Sequence, residues 1–249
     1  MPEKKIQRND LVFGIHPVQL WLKSKIDEIE ELWVAEEARG KVQKLAQFAG
    51  KLGITVKYKP RSWLAKVCGE GNQGICLKIT PYRYSQLEEV LQGMKKGPVI
   101  WLLHIQDPGN IGNIIRTARS FGAAGVILNP RGGCSITPSV IKASAGALSQ
   151  LHVAREGNIQ RVIRLIREMG GWLIGLDSSG KTEIHQFDLN RPAVFALGGE
   201  GKGLPPRVAK FCDEIVKIPM VSDWDSLNVA TAGAISLYEW HRQKITEKK

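Results

Sequence analysis

Apolar positions in the second half of the chain recur with two alternating periods. Val99 to Leu103 is an unbroken apolar run between Pro98 and the Asp107-Pro108-Gly109 breaker, the pattern of a strand covered on both faces. Behind it, Ile111, Ile114, Ile115, Ala118 and Phe121 return at helical spacing, and Gly122 supplies the stop. Val126 to Leu128 predicts the next strand. Ile159, Val162, Ile163, Ile166 and Met169 predict a second amphipathic helix, ended by Gly170-Gly171 and followed by a strand over Trp172 to Leu176. Ala193 to Leu197 and Glu214 to Ile218 read as two further strands, and a last helix runs from about Leu227 to Lys244. Strands alternating with helices imply an α/β fold with a mostly parallel sheet covered on both faces.

The front of the chain, Leu11 to Ile79, mixes short helical and strand-like pieces into a small α/β pattern of its own. A stretch rich in Pro, Gly and charge, with one apolar turn, separates the two patterns. The expected organisation is a small domain over residues 1–80, a linker over 81–97 and a second domain over 98–249.

Composition narrows the function classes. An apolar share of 43% supports real cores, and no apolar run reaches the length of a membrane span. The first ten residues have neither a signal-peptide core nor a transit pattern, so a cytoplasmic address is expected. Cys68, Cys76, Cys134 and Cys212 lie far apart, with no histidine at ligand spacing, which predicts reduced thiols and no metal. The net charge of +11, spread over both halves, suits a polyanionic partner.

Ligands of parallel α/β sheets gather at the carboxyl ends of strands, and three loops there stand out. The first is Asp107-Pro108-Gly109-Asn110-Ile111-Gly112, followed on its helix by Arg116-Thr117-Ala118; its ordinary use would be a turn with Asn110 as helix cap. The second, Gly198-Gly199-Glu200-Gly201-Lys202-Gly203, frees the backbone to approach a ligand, and Glu200 has few packing reasons to stand among glycines. It matches neither a dinucleotide fingerprint nor a Walker loop, which disfavours a nucleotide-dependent oxidoreductase. The third is Ile218-Pro219-Met220 with Ser226-Leu227-Asn228, where Ser226 is the expected cap of the last helix. In that helix Leu227, Ala230, Ala234, Leu237 and His241 step by three and four, a small-sided face suited to close packing.

In this order and spacing the three loops resemble the signature motifs of the SpoU family of RNA ribose 2′-O-methyltransferases. Asp107-Pro108-x-Asn110-x-Gly112 with Arg116-Thr117-Ala118 resembles motif one, Leu197-Gly198-x-Glu200-x-x-Gly203-Leu204 motif two, and Ile218-Pro219-Met220 with Ser226-Leu227-Asn228-Val229 motif three. The front part is similar to the family's substrate-binding domain through Phe13-Gly14-Ile15-His16-Pro17-Val18 and Asn72-Gln73-Gly74. The resemblance implies a C-terminal trefoil knot, a homodimer, and S-adenosylmethionine held largely by backbone at Gly198, Ile218 and Leu227. It also implies that Arg116 contacts the target ribose and adjacent phosphate, with Asn110, Glu200, Ser226 and Asn228 orienting Arg116, the substrate or the loops. The chain departs from the pattern at Ser222 to Asp225 and at Ala230, which bears on the shape of the RNA-facing loop.

The expected activity is cofactor-dependent 2′-O-methylation of ribosomal RNA, at a guanosine of the large subunit. The alternatives are a transfer-RNA methyltransferase and an RNA-binding assembly factor without turnover. Arg61, Trp63, Arg83 and Tyr84 are candidate RNA contacts outside the motifs, although Trp63 could equally belong to a core.

Overall fold

Two sheets organise the chain in the computed structural model, which describes residues 11–199, 201, 203–221 and 226–246. In chain order the elements of the front part are β1 (Leu11–Phe13), α1 (Ile15–Ser24), β2 (Ile29–Ala35), α2 (Lys41–Lys51), β3 (Thr55–Lys59), α3 (Arg61–Cys68) and β4 (Ile75–Ile79). There follow α4 (Leu87–Gln92), β5 (Val99–Leu103), α5 (Pro108–Phe121), β6 (Gly125–Leu128), α6 (Pro138–Ala143), β7 (His152–Arg155), α7 (Ile159–Glu168) and β8 (Trp172–Leu176). The last are β9 (Thr182–Glu183), β10 (Ala193–Gly198), α8 (Pro206–Ala209), β11 (Glu214–Lys217) and α9 (Val229–Thr246).

The first compact unit comprises the chain up to Arg83 together with Ile136–Gln150. Its sheet runs β1-β4-β2-β3, with β2 and β3 parallel and the other pairs antiparallel. Leu11, Trp33, Leu64 and Cys76 form its buried centre, and Trp63 packs against them edge-on to Trp33, with ring centroids 5.1 Å apart. Trp63 therefore belongs largely to this core, whereas Arg61 is exposed. The Asn72-Gln73-Gly74 segment has a local structural role. Asn72 closes its own turn by donating to the Gly69 carbonyl and accepting from the Gly74 amide, both at 2.8 Å. Gln73 Oε1 accepts from the Ile15 amide at 2.7 Å and so satisfies a free N–H at the start of α1.

The second unit holds the rest and is built on seven strands in the order β7-β6-β5-β10-β8-β11-β9, parallel at every pairing. All five residues of β5 are buried, as an apolar run covered on both faces requires. Residues 81–97, expected to link two domains, carry α4, whose Leu87, Val90 and Leu91 are buried in this unit's core with Trp101 and Ile166. α5 runs from Pro108, which is pre-shaped for a first helical position, to Phe121, and Gly122 closes it in the left-handed conformation.

Two expected caps fall elsewhere. The cap of α5 is Asp107, not Asn110: Asp107 stands extended before the proline and its Oδ2 accepts from the Asn110 amide at 2.8 Å. α9 begins at Val229, so capping passes from Ser226 to Asn228, whose Oδ1 accepts from the Ala230 amide at 2.8 Å and the Thr231 amide at 3.4 Å. The buried residues of α9 are Val229, Gly233, Ser236, Leu237, Glu239 and Trp240, whereas Ala230, Ala234 and His241 of the expected face are only half-buried. Gly233 lets the helix close on the sheet and α5: a Cβ there would lie 3.3 Å from Leu197 and 3.6 Å from Ile114. No described helix is long and apolar enough to cross a membrane.

Candidate active site

The loops that leave β8, β10 and β11 at their carboxyl ends, with the approach to α9, enclose a cavity of about 630 Å³. Parallel pairing explains the gathering, because it turns every strand of the sheet to end on the same edge. Gly198, Ile218 and Leu227 all line this cavity, brought together from three separate segments. Leu176, Leu197, Val216 and Met220 add apolar wall; Asp177, Ser178 and Ser226 add polar groups. Such a mixture, apolar faces with a few placed polar groups, suits a small organic ligand of nucleoside size.

The glycines set the shape of the wall. A Cβ on Gly198 would overlap the Gly203 carbonyl and the Leu204 nitrogen, so only glycine allows the loop to fold back on its own strand. Gly203 donates its amide to the Gly199 carbonyl at 3.2 Å and itself has φ of +59°. A Cβ on Gly199 would stand 2.4 Å from the carbonyl of His104, the residue that leaves β5 in the left-handed region with φ of 59°. Such a conformation costs a non-glycine residue about 1–2 kcal/mol. The exit of β5 is thereby set against the exit of β10.

Asn110 and Asn228, 118 positions apart, are joined directly: Asn228 Nδ2 donates to Asn110 Oδ1 at 3.0 Å. This bond fastens the first loop to the third. Arg116 lies two turns into α5 with an exposed side chain, and it is not among the residues that line the cavity. Glu200 and the Ser222 to Asp225 departure lie outside the described residues. Asn228 thus has two separable duties, and substitutions can divide them. Asn228→Ala should cost about 1 kcal/mol for the lost cap. Asn228→Asp retains the capping oxygen and forfeits the donor to Asn110, so its urea midpoint should fall less than that of Asn228→Ala, which loses both duties. Equal destabilisation by both changes would refute the division.

Sequence reading passed over Asp177. Its Oδ2 accepts from the Leu204 amide at 2.9 Å, and its Oδ1 accepts from the Ser179 amide at 3.0 Å and the Ser179 hydroxyl at 2.7 Å. Burial pushes the carboxyl upward, but the bonds from Leu204 and Ser179 outweigh that and hold it below the ordinary aspartate value. The available signal was position: Asp177-Ser178-Ser179-Gly180 directly follows the apolar strand β8, at the same sheet edge as the three recognised loops.

Comparison with known proteins agrees with this arrangement. The model of the SpoU rRNA methylase family matches residues 97–238, and a model described as RNA 2′-O ribose methyltransferase substrate binding matches residues 11–85. A Bacillus subtilis protein named as a TrmH family tRNA/rRNA methyltransferase is 33% identical over 96% of this chain and 97% of its own length. Among solved structures, a rRNA methyltransferase of Sinorhizobium meliloti with bound AdoMet is 26% identical, with a TM-score of 0.80 over 94% of this chain and 87% of that one. The SpoU methyltransferase AviRb of Streptomyces viridochromogenes, also in complex with AdoMet, shares the fold at a TM-score of 0.83 and 24% identity, covering 95% of this chain and 90% of its own. With the family model spanning all seven strands of the second sheet, from before β5 into α9, and a relative alike over nearly its full length, the chain belongs to the SpoU rRNA methylase family.

Proposed function

We propose that this chain transfers a methyl group from S-adenosylmethionine to a ribose 2′-hydroxyl of RNA, at a guanosine of large-subunit, 23S-type ribosomal RNA. The observation that carries the reading is the Asn228–Asn110 bond, which ties the β5 loop to a segment that walls the cavity. The cavity fits the cofactor. It offers apolar side chains to an adenine ring and main-chain groups at Gly198, Ile218 and Leu227 to its polar edges, and the folded-back loop that walls it leaves no room for a Cβ on Gly198.

When bound, the cofactor supplies an electrophilic methyl group that needs no further activation. The chain must therefore bring the ribose oxygen into line and manage its proton. Arg116 is assigned to that oxygen and to the adjacent phosphate. Its guanidinium is planar, always charged and able to donate to both, which suits stabilising a forming alkoxide better than accepting a proton. Asn110 and Asn228 hold the loops, Ser226 stands at the cavity, and Glu200 is assigned an orienting role alongside them.

Residues 1–80 are assigned to RNA binding and residues 98–249 to catalysis, which the family models over residues 11–85 and 97–238 support. We further assign a trefoil knot to the chain beyond β10, in support of which β10 is inserted between β5 and β8. The protein is read as a cytoplasmic homodimer, and the exposed Tyr238 beside Phe121 and His241 on α5 and α9 is consistent with a covered face.

The test is transfer from methyl-labelled cofactor to separated ribosomal and transfer RNA, with the product mapped by mass spectrometry. Ribose-methylated guanosine in the large-subunit RNA is the expected result. Label confined to transfer RNA would select the alternative substrate, a class that the tRNA/rRNA name of the Bacillus relative also includes. No label in either fraction by a protein that binds the cofactor would leave an RNA-binding factor and overturn the reading.

A further inference from the structure

The carboxylate of Asp177 is the one acidic side chain among the described residues lining the cavity, and nothing in the proposed chemistry uses it. It receives three donors at once. Leu204 N–H reaches Oδ2 from beyond the glycine loop, and Ser179 supplies its amide and hydroxyl to Oδ1. The backbone of Asp177 is held as well, its amide donating to the Val216 carbonyl of β11 at 3.2 Å. One residue thus bridges the segments that follow β8 and β10 and the edge of β11, all of which contribute to the cavity wall.

We propose that Asp177 is a positioning residue for the cofactor: its bond to Leu204 latches the glycine loop in the folded-back form that shapes the S-adenosylmethionine site. The proposal rests on the functional reading above. An acceptor-only group is required at this place. Both oxygens face donors, so an amide of the same shape would turn its NH₂ toward either Leu204 N–H or the Ser179 pair. Gly203 belongs to the same device. A Cβ there would stand 2.5 Å from Asp177 Oδ2, in a backbone with φ of +59°, and would force the latch apart.

The experiment is calorimetric titration of the full chain with S-adenosylmethionine and, separately, with RNA, alongside steady-state kinetics. Asp177→Asn and Gly203→Ala should each weaken cofactor binding by about ten- to a hundredfold, the range of a hydrogen bond to a charged group. RNA affinity should stay unchanged, and KM for the cofactor should rise while kcat at saturation is retained. Ser179→Ala, which leaves the Leu204 bond in place, should bind the cofactor within about twofold of wild type, because it removes only one of three donors. If Asp177→Asn fails to fold, Gly203→Ala decides the matter alone. Wild-type cofactor affinity in a folded Gly203→Ala protein, or a parallel loss of RNA affinity, would overturn the latch. Absence of cofactor binding by the wild-type chain would instead overturn the functional reading on which it rests.

Discussion

Arg116→Ala is expected to lower the rate of methyl transfer by ~10² to 10⁴, the range supplied by acid-base and oxyanion-stabilising groups. The substitution is a clean one on this fold. Arg116 is exposed on α5, whose buried stripe is Ile111, Ile114, Ile115 and Ala118, and alanine is the best helix former. Thermal stability should therefore hold, and cofactor titration should give the wild-type affinity, because Arg116 does not line the cavity. Arg116→Lys separates charge from geometry. A lysine keeps the positive charge but loses the planar fork that can hold a ribose oxygen and a phosphate together, so partial recovery is expected. Single-turnover transfer under saturating RNA is the measurement. Full wild-type rate in Arg116→Ala would remove the residue from the chemistry and leave the RNA side of the site unassigned.

Local periodicity made some parts of this protein legible and left others dark. The bounds of β5 and β8 and the stripe of α5 follow from short apolar patterns that the sheet simply accepts. β7 escaped because only its two central residues, Val153 and Ala154, are buried; an edge strand of four residues has no pattern to display. The membership of Ile136–Gln150 in the first unit depends on α6 finding β1, far back along the chain, a fact no local window contains. The site divides in the same way. Gly198, Ile218 and Leu227 were singled out only through the family resemblance, and they meet in one cavity. The Asn110–Asn228 bond and the clasp of Asp177 on Leu204 are pairings between distant segments, visible only once the sheet has brought strand ends to one edge.

Gly198→Ala should abolish measurable cofactor binding with a smaller effect on folding. The added Cβ has nowhere to go: the atoms it would meet are the Gly203 carbonyl and the Leu204 nitrogen, which are backbone and cannot rotate aside. Those atoms are held from the other side, Gly203 by the hydrogen bond its N–H donates to the Gly199 carbonyl and Leu204 by the one it donates to Asp177. Relief therefore requires the loop to leave the strand, opening the cavity wall and breaking the Asp177 clasp together. Overpacking of this kind costs about 1–3 kcal/mol of stability. β10 is paired to both β5 and β8 from Val194 to Leu197, so most of the sheet should survive. Gly201→Ala is the control. It lies in the same loop with open space around its missing side chain, so it suffers only the strain of φ at +76°, about 1–2 kcal/mol. Calorimetry on the two variants should show binding lost in the first and weakened in the second. Comparable affinities would mean that the loop adjusts freely around Gly198 and that its fold-back onto β10 does not shape the cofactor site.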